Sequence, residues 1–207
     1  DLANTPDFSG VSDENPVDFT KRIVNNGFEE GNLNGWTNSG TIDAQSQDNT
    51  SFDNKQGTYY AEKWHVNGTV DLNQTIANLP AGTYDITAYV YSSATDCILY
   101  ANDGSVAVTT SGLYTVTVKL EEGADLKFGV SWSDSGDKWT CMDEFTLVYY
   151  GTESEKELTS TDIEGVESSA VTPVAIYTVS GAQVDALQKG INIVKYSDGS
   201  TKKVLVK

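Results

Sequence analysis

The chain has 207 residues and a mass of 22.3 kDa, room for one sandwich-sized core plus a smaller unit, since a single core serves roughly 100–150 residues. Thirty acidic residues against thirteen basic ones, with Arg22 the only arginine, give a net charge of −17. That excludes a nucleic-acid partner, which demands a basic surface and arginine forks, and it disfavours anionic membranes.

Eleven Tyr, four Trp and eighteen Gly beside a single Met suit pleated strands and tight turns better than helices. No apolar run approaches the roughly 18–20 residues of a membrane-spanning helix, so membrane insertion is not expected. The opening segment lacks a basic stretch followed by an apolar one, so an export signal, if the protein has one, is expected to be cleaved or to lie outside this sequence.

In chain order, residues 1–20 are polar and aperiodic and read as an N-terminal extension or linker. Strand patterns begin at Arg22, Ile23 and Val24 and recur at 58–64, 69–79, 83–93, 97–103, 113–120, 125–132 and 142–150. Turn residues separate them, among them Asn67 and Gly68, Pro80 to Gly82, Asn102 to Gly104, and Ser135 and Gly136. Short strands with turns every 8–12 residues predict an antiparallel β-sandwich or barrel over residues 21–150.

Residues 151–170 carry six acids against one Lys and almost no large apolar side chain, the pattern of a solvated acidic linker. Residues 171–207 reverse the sign, with five Lys against two Asp. Alternating runs there predict a small C-terminal β-domain of three to five strands, too small to bury much apolar area alone.

Two segments at opposite ends of the predicted sandwich carry the most specific signal. Asn26, Gly27, Phe28, Glu29 and Gly31, followed by Gly35 and Trp36, stand near its start, and Asp143, Glu144, Phe145, Thr146 and Leu147 near its end. Between them, Gln74 to Ile76 and Leu79 to Tyr84 fit a hairpin. This pattern resembles the galactose-binding-like jelly rolls of the carbohydrate-binding module families, whose first strand reads N-x-G-F-E-x-G and whose last reads D-D-V-x-L. The resemblance implies an all-β, antiparallel jelly-roll β-sandwich that binds a glycan without catalysis. It further implies a structural Ca²⁺ held by Glu29 and Asp143, a hard cation suited to carboxylate and carbonyl oxygens. Trp36, Phe28, Phe145 and Leu147 fall at core positions of that family.

The C-terminal stretch from Val174 to Val184, then Leu187 to Lys195 and Lys202 to Lys207, is similar to the C-terminal sorting-type domains of exported Bacteroidetes proteins. Asn192 stands where those domains carry Tyr or Phe. The implication is an extracellular or cell-surface protein, monomeric within a larger modular polypeptide.

Strand alternation supplies the ligand-binding candidates, because successive side chains point to opposite faces. Tyr84, Ile86, Ala88 and Val90 form an apolar, core-facing set, which turns Asp85, Thr87, Tyr89 and Tyr91 outward. Tyr60, Glu62 and Trp64 share one face of the 58–64 pattern, read as a neighbouring strand. Aromatic rings for the apolar face of a sugar, with acids for its hydroxyls, make Tyr60, Glu62, Trp64, Tyr89 and Tyr91 candidates. Trp132 and Trp139 flank a polar loop and join them, although Trp132 also continues the apolar face of Leu126, Phe128 and Val130. Charge favours a neutral glycan as partner, because an acidic surface repels polyuronates and sulfated chains.

Enzyme chemistry lacks parts. His65 is the one histidine, outside any metal-ligand spacing, and no G-x-S-x-G elbow accompanies the serines. Paired carboxylates of the glycosidase kind stay open, since thirty acids guarantee chance pairs. Cys97 and Cys141 form either one disulfide or two buried thiols. A protein–protein adhesion or scaffold module is the alternative function, because the same sandwich serves both.

Overall fold

The computed structural model describes residues 8–46, 52–159, 173–178, 181–184, 186, 188–196 and 201–206. They belong to two compact units, Asp1–Thr161 and Asp162–Lys207. Apart from a 3-10 turn at Thr20–Arg22, the regular structure among them is all β.

The first unit holds β1 (Val17–Asp18), β2 (Thr37–Ser39), β3 (Asp43–Ser46), β4 (Tyr59–Val66), β5 (Val70–Leu79), β6 (Gly82–Ser92), β7 (Ile98–Ala101), β8 (Gly104–Ala107), β9 (Gly112–Leu120), β10 (Ala124–Trp132) and β11 (Gly136–Tyr149). One sheet runs β3-β4-β11-β6-β9, with β1 also on β11, and the other runs β2-β5-β10-β7-β8. Every pairing is antiparallel. This is an antiparallel β-sandwich, one of the two architectures that the strand and turn spacing allows and the one that the family resemblance implies.

The core follows from alternation. Tyr84, Ile86, Ala88 and Val90 are fully buried, as are Leu126, Phe128 and Val130 of the opposite sheet, and all belong to one apolar cluster. Trp36 is part of it, with ring centroids 4.7 Å from Phe145, 5.4 Å from Phe28 and 5.7 Å from Phe128. Its indole N–H donates to the Asn25 carbonyl, so the ring is buried without an orphaned donor.

Several expectations change. Residues 8–20 are not an extension: β1 pairs with β11, Phe19 lies in the core, and Phe8 packs on Phe19 and Tyr149. Ile23 is a core residue following the 3-10 turn rather than part of a strand. The short strands β2, β3 and β8 carry too few residues for alternation to show.

Residues 151–159 are likewise no solvated linker. The Thr159 N–H donates to the Thr117 carbonyl on β9, and Thr159 Oγ1 accepts from the Thr117 N–H. The Lys156 ammonium reaches the buried Asp85 carboxylate at 3.0 Å. Residues 160–170, the rest of the expected linker, lie outside the described residues.

The second unit is a four-stranded antiparallel sheet of β12 (Pro173–Thr178), β13 (Gln183–Val184), β14 (Gly190–Tyr196) and β15 (Thr201–Val206), in the order β13-β12-β14-β15. Asn192 is buried in it. Its amide accepts from the Gln188 N–H and donates to the Gln188 and Gly190 carbonyls, closing the turn that leads into β14. An aromatic residue at 192 could not supply these bonds.

Candidate binding face

The outer face of the first sheet gathers most of the candidate residues, because β4, β11 and β6 are neighbours and their alternation is in phase. Trp64 pairs with Trp139 across β4 and β11. One row on, Glu62 pairs with Cys141, which pairs with Tyr91 on β6. Asp143 pairs with Tyr89, which pairs with Leu113 on β9.

The first two rows form an aromatic corner. The Tyr91 and Trp139 rings lie 5.1 Å apart at 55°. Trp139 Nε1 donates to Glu62 Oε2 at 2.8 Å, and the Tyr60 hydroxyl donates to the same oxygen at 3.2 Å. Trp64 is 57% exposed, whereas Glu62, Tyr91 and Trp139 are half-buried. With the Cys141 thiol at 3.9 Å as a third, neutral donors thus hold one Glu62 oxygen in place among rings.

A segment from Phe52 to Gly57 lies over the middle of the sheet. Phe52 is fully buried, with its ring 5.5 Å from that of Tyr60, and forms a small cluster with Tyr60 and Cys141. The Gln56 N–H donates to the Asp143 carboxylate at 2.7 Å, and the Lys55 ammonium donates to the Phe52 carbonyl. Beside this segment opens a cleft of about 550 Å³ lined by Gln56, Gly57, Thr87, Tyr89, Leu113, Glu144 and Thr146. That volume lies in the range of small-ligand sites.

The two expected metal ligands meet at a joint between the first loop and the last strand. The Phe145 N–H donates to the Asn26 carbonyl there, and the Asn26 side-chain amide donates to the Phe145 carbonyl. Glu29 accepts from the Thr58 and Tyr59 N–H groups, and Asp143 from Gln56 and Glu144. The approach is so close that a Cβ on Gly57 would sit 2.4 Å from Glu29 Oε1, and one on Gly27 2.7 Å from Glu144 Oε1.

Burial pushes the Asp143 carboxyl up to about 7, against the pull of its two backbone donors, and the nearby Glu144 and Glu29 add to the rise. Among the described residues no Lys, Arg or His forms an ion pair with Asp143, Glu29 or Glu144. Nor do three or more Asp, Glu, His or Cys side chains there form a group able to hold a metal ion by themselves. The donor chemistry fits a hard cation only if backbone carbonyls complete the shell.

Two candidates are not where a ligand could stack on them. Trp132 is 2% exposed inside the sandwich core, continuing the Leu126, Phe128 and Val130 face, and its Nε1 has no hydrogen-bond partner among the described residues. Tyr60 points to the outer face as alternation requires, but Phe52 covers it. Tyr89 lines the cleft, while Tyr91, Trp139, Trp64 and Glu62 form the corner. Leu113, Phe52, Gln56 and Gly57 escape the sequence reading: Leu113 is an ordinary strand residue, and the 52–57 segment has no periodicity.

The cysteines are two free thiols, both buried. Cys97 belongs to the core between the sheets, where burial pushes its thiol up to about 12, and Cys141 lies on the outer face under Phe52. His65 is exposed, with Nδ1 2.8 Å from Asp137.

No family model matches the chain, and no curated protein matches it. Among solved structures it is similar to TmCBM61 in complex with β-1,4-galactotriose, with a TM-score of 0.51 and 24% identity over 62% of this chain and 97% of that one. It is also similar to the enzymatically active domain of the bacteriophage CBA120 tailspike protein 4, with a TM-score of 0.48 and 10% identity over 61% of this chain and 21% of that one. A family 16 carbohydrate-binding module gives a TM-score of 0.47 and 20% identity over 60% of this chain and 97% of that one. At such identities the likeness concerns the fold. The first unit has the antiparallel β-sandwich fold found in carbohydrate-binding modules.

Proposed function

We propose that the first unit binds a glycan without catalysis, through the corner of Trp64, Trp139, Tyr91 and Glu62 and the adjoining cleft floored by Tyr89. The observation that carries this reading is the anchored carboxylate among partly exposed aromatic rings on a sheet face. Rings accept the C–H face of a sugar and the carboxylate orients its hydroxyls. Tyr89 to Tyr91 spans about 7 Å along β6, so corner and cleft together suit an oligosaccharide rather than one residue. The glycan carries no anionic groups, because a net charge of −17 repels them. The β-1,4-galactotriose bound by the similar TmCBM61 makes a β-1,4-linked galactan the first ligand to try.

The test is a glycan array with affinity gels, using the whole chain and Trp64→Ala. The expected result is binding of at least one polysaccharide at micromolar to millimolar Kd, lost in Trp64→Ala with the circular dichroism unchanged. Retention of no glycan, with capture of a surface protein instead, supports the adhesion-module alternative.

Two further parts complete the reading. Ca²⁺ binds at the joint, where Asp143 and Glu29 with backbone carbonyls would hold it, and the support is a buried carboxylate crowded by two others with no basic ion-pair partner among the described residues. The ion would tie the first loop to the last strand. The second unit is a sorting-like domain of an exported modular protein, supported by its sequence resemblance. No helix among the described residues is long and apolar enough to cross a membrane.

A further inference from the structure

Glu62 is held through one oxygen. Its Oε2 takes the Trp139 and Tyr60 donors, while Oε1 accepts no hydrogen bond among the described residues. The basic groups nearby are committed elsewhere. The Lys55 charge is felt at Cys141, but its ammonium donates to the Phe52 carbonyl. Lys63 donates to Thr41, Lys138 pairs with Asp134, and His65 with Asp137. Among the described residues no cation stands at salt-bridge distance from this half-buried carboxylate, whose neighbours include the rings of Trp139, Tyr91, Tyr60 and Trp64 beside the Cys141 thiol and the strand partner Asp43.

We propose that this corner is an ammonium subsite, and that the preferred glycan carries a free amine there, as a 2-amino-2-deoxy sugar does. The inference rests on the glycan-binding reading and names the ligand class within it. A sugar hydroxyl could also donate to Oε1, but it leaves the carboxylate charge uncompensated in a partly desolvated setting. An ammonium group compensates it through a charge-assisted hydrogen bond, and the aromatic faces attract the same cation through their quadrupoles. Either interaction by itself is modest. Together they favour the free amine over its N-acetylated form by about tenfold. Acetylation removes the charge while keeping the sugar, so the comparison isolates the subsite.

The experiment titrates the whole chain with a β-linked glucosamine oligosaccharide and with its fully N-acetylated counterpart by calorimetry at pH 6, in low and in 0.5 M salt (about 4 Å Debye length). The expected result is a preference for the amine form that shrinks in high salt and falls to about one in Glu62→Gln. That variant is isosteric and still accepts from Trp139 and Tyr60. Glu153→Gln, which removes an acid remote from the corner, keeps the preference and so separates a local subsite from overall charge. An equal or stronger affinity for the acetylated form overturns the proposal, as does a preference that survives in Glu62→Gln. If the array finds neutral glycans bound through Trp64 while the amine confers no advantage, the ammonium subsite fails and the glycan-binding reading stands. If no glycan of any kind binds, both fall.

Discussion

Asn54 Nδ2 donates to Ser111 Oγ at 2.8 Å, and this bond joins the segment lying over β4 and β11 to the residue preceding β9. Since β6 lies between β11 and β9 in the sheet, the bond clasps the covering segment above the strand that bears Tyr89 and Tyr91. Asn54→Ala releases it. The expected outcome is faster amide exchange over residues 52–57 and a few-fold rise in Kd for any bound oligosaccharide. The stability loss should stay within about 1 kcal/mol because the bond is exposed. Hydrogen exchange by mass spectrometry and calorimetry check this.

Trp36→Ala and Trp132→Ala are expected to damage the fold. Each removes a buried indole, at a cost of about 3–5 kcal/mol, visible as a large fall in the denaturation midpoint. Trp64→Ala and Tyr91→Ala should leave the midpoint nearly unchanged while weakening glycan binding. A fold-damaging Trp64→Ala, or a stable Trp132→Ala with lost binding, would reverse the assignment of the two faces.

Calcium is expected to raise the melting temperature of chelator-treated protein, because a ligand bound by the native state alone stabilises it by mass action. Asp143→Ala should flatten that response. An identical melting curve with and without added Ca²⁺ removes the metal from the joint.

Both thiols should stay unreactive in the native protein and titrate after unfolding, since the thiolate is the reactive form and burial disfavours it at Cys97 and Cys141. Reductant should leave the melting temperature unchanged. A mass lower by two hydrogens in the non-reduced protein would instead show a bridge.

Asp96 gives an acid-side prediction. Burial raises its pKa, but hydrogen bonds from the Ser133 hydroxyl and from the Asp134 and Ser133 N–H groups outweigh this and hold the carboxyl below its usual range. A group whose folded pKa is lowered contributes stability above its unfolded value, near pH 4, and loses it as pH falls through the folded value. Asp96→Asn should therefore be less stable than the parent at neutral pH, with the difference shrinking below about pH 4. Thermal melts at stepped pH test it, and a pH-independent difference would show that the charge is not involved.

Much of the sandwich was legible because alternation is a local property: Tyr84, Ile86, Ala88 and Val90 are each apolar, and all four are buried. The same rule set Tyr60, Glu62 and Trp64 on one face of their strand and Tyr89 and Tyr91 on the outer face of theirs, while the placement of β11 between the two, which brings them together, was not legible. It could not reveal that Phe52 lies over Tyr60, since that contact comes from a segment with no repeat. Trp132 illustrates a different failure. Its strand neighbours marked it as core, yet the polar loop beside it suggested exposure, and packing against the opposite sheet decided the matter. The joint at Glu29 and Asp143 was visible through a family resemblance rather than through spacing, because 114 positions separate the two. At Phe28 and Glu144 the backbone takes left-handed angles, φ 58° and 49°, which no residue type there announces.

The docking of residues 152–159 on β9 bears on how the first unit can be isolated. A fragment ended at residue 150 would lose Thr159 from the outer edge of β9, baring backbone groups that invite pairing with a second chain. It would also lose Lys156, leaving the buried Asp85 carboxylate with the Thr117 and Tyr150 hydroxyls but without its cation. Such a fragment should aggregate during refolding for reasons unrelated to ligand binding, whereas one ended at residue 161 keeps both contacts.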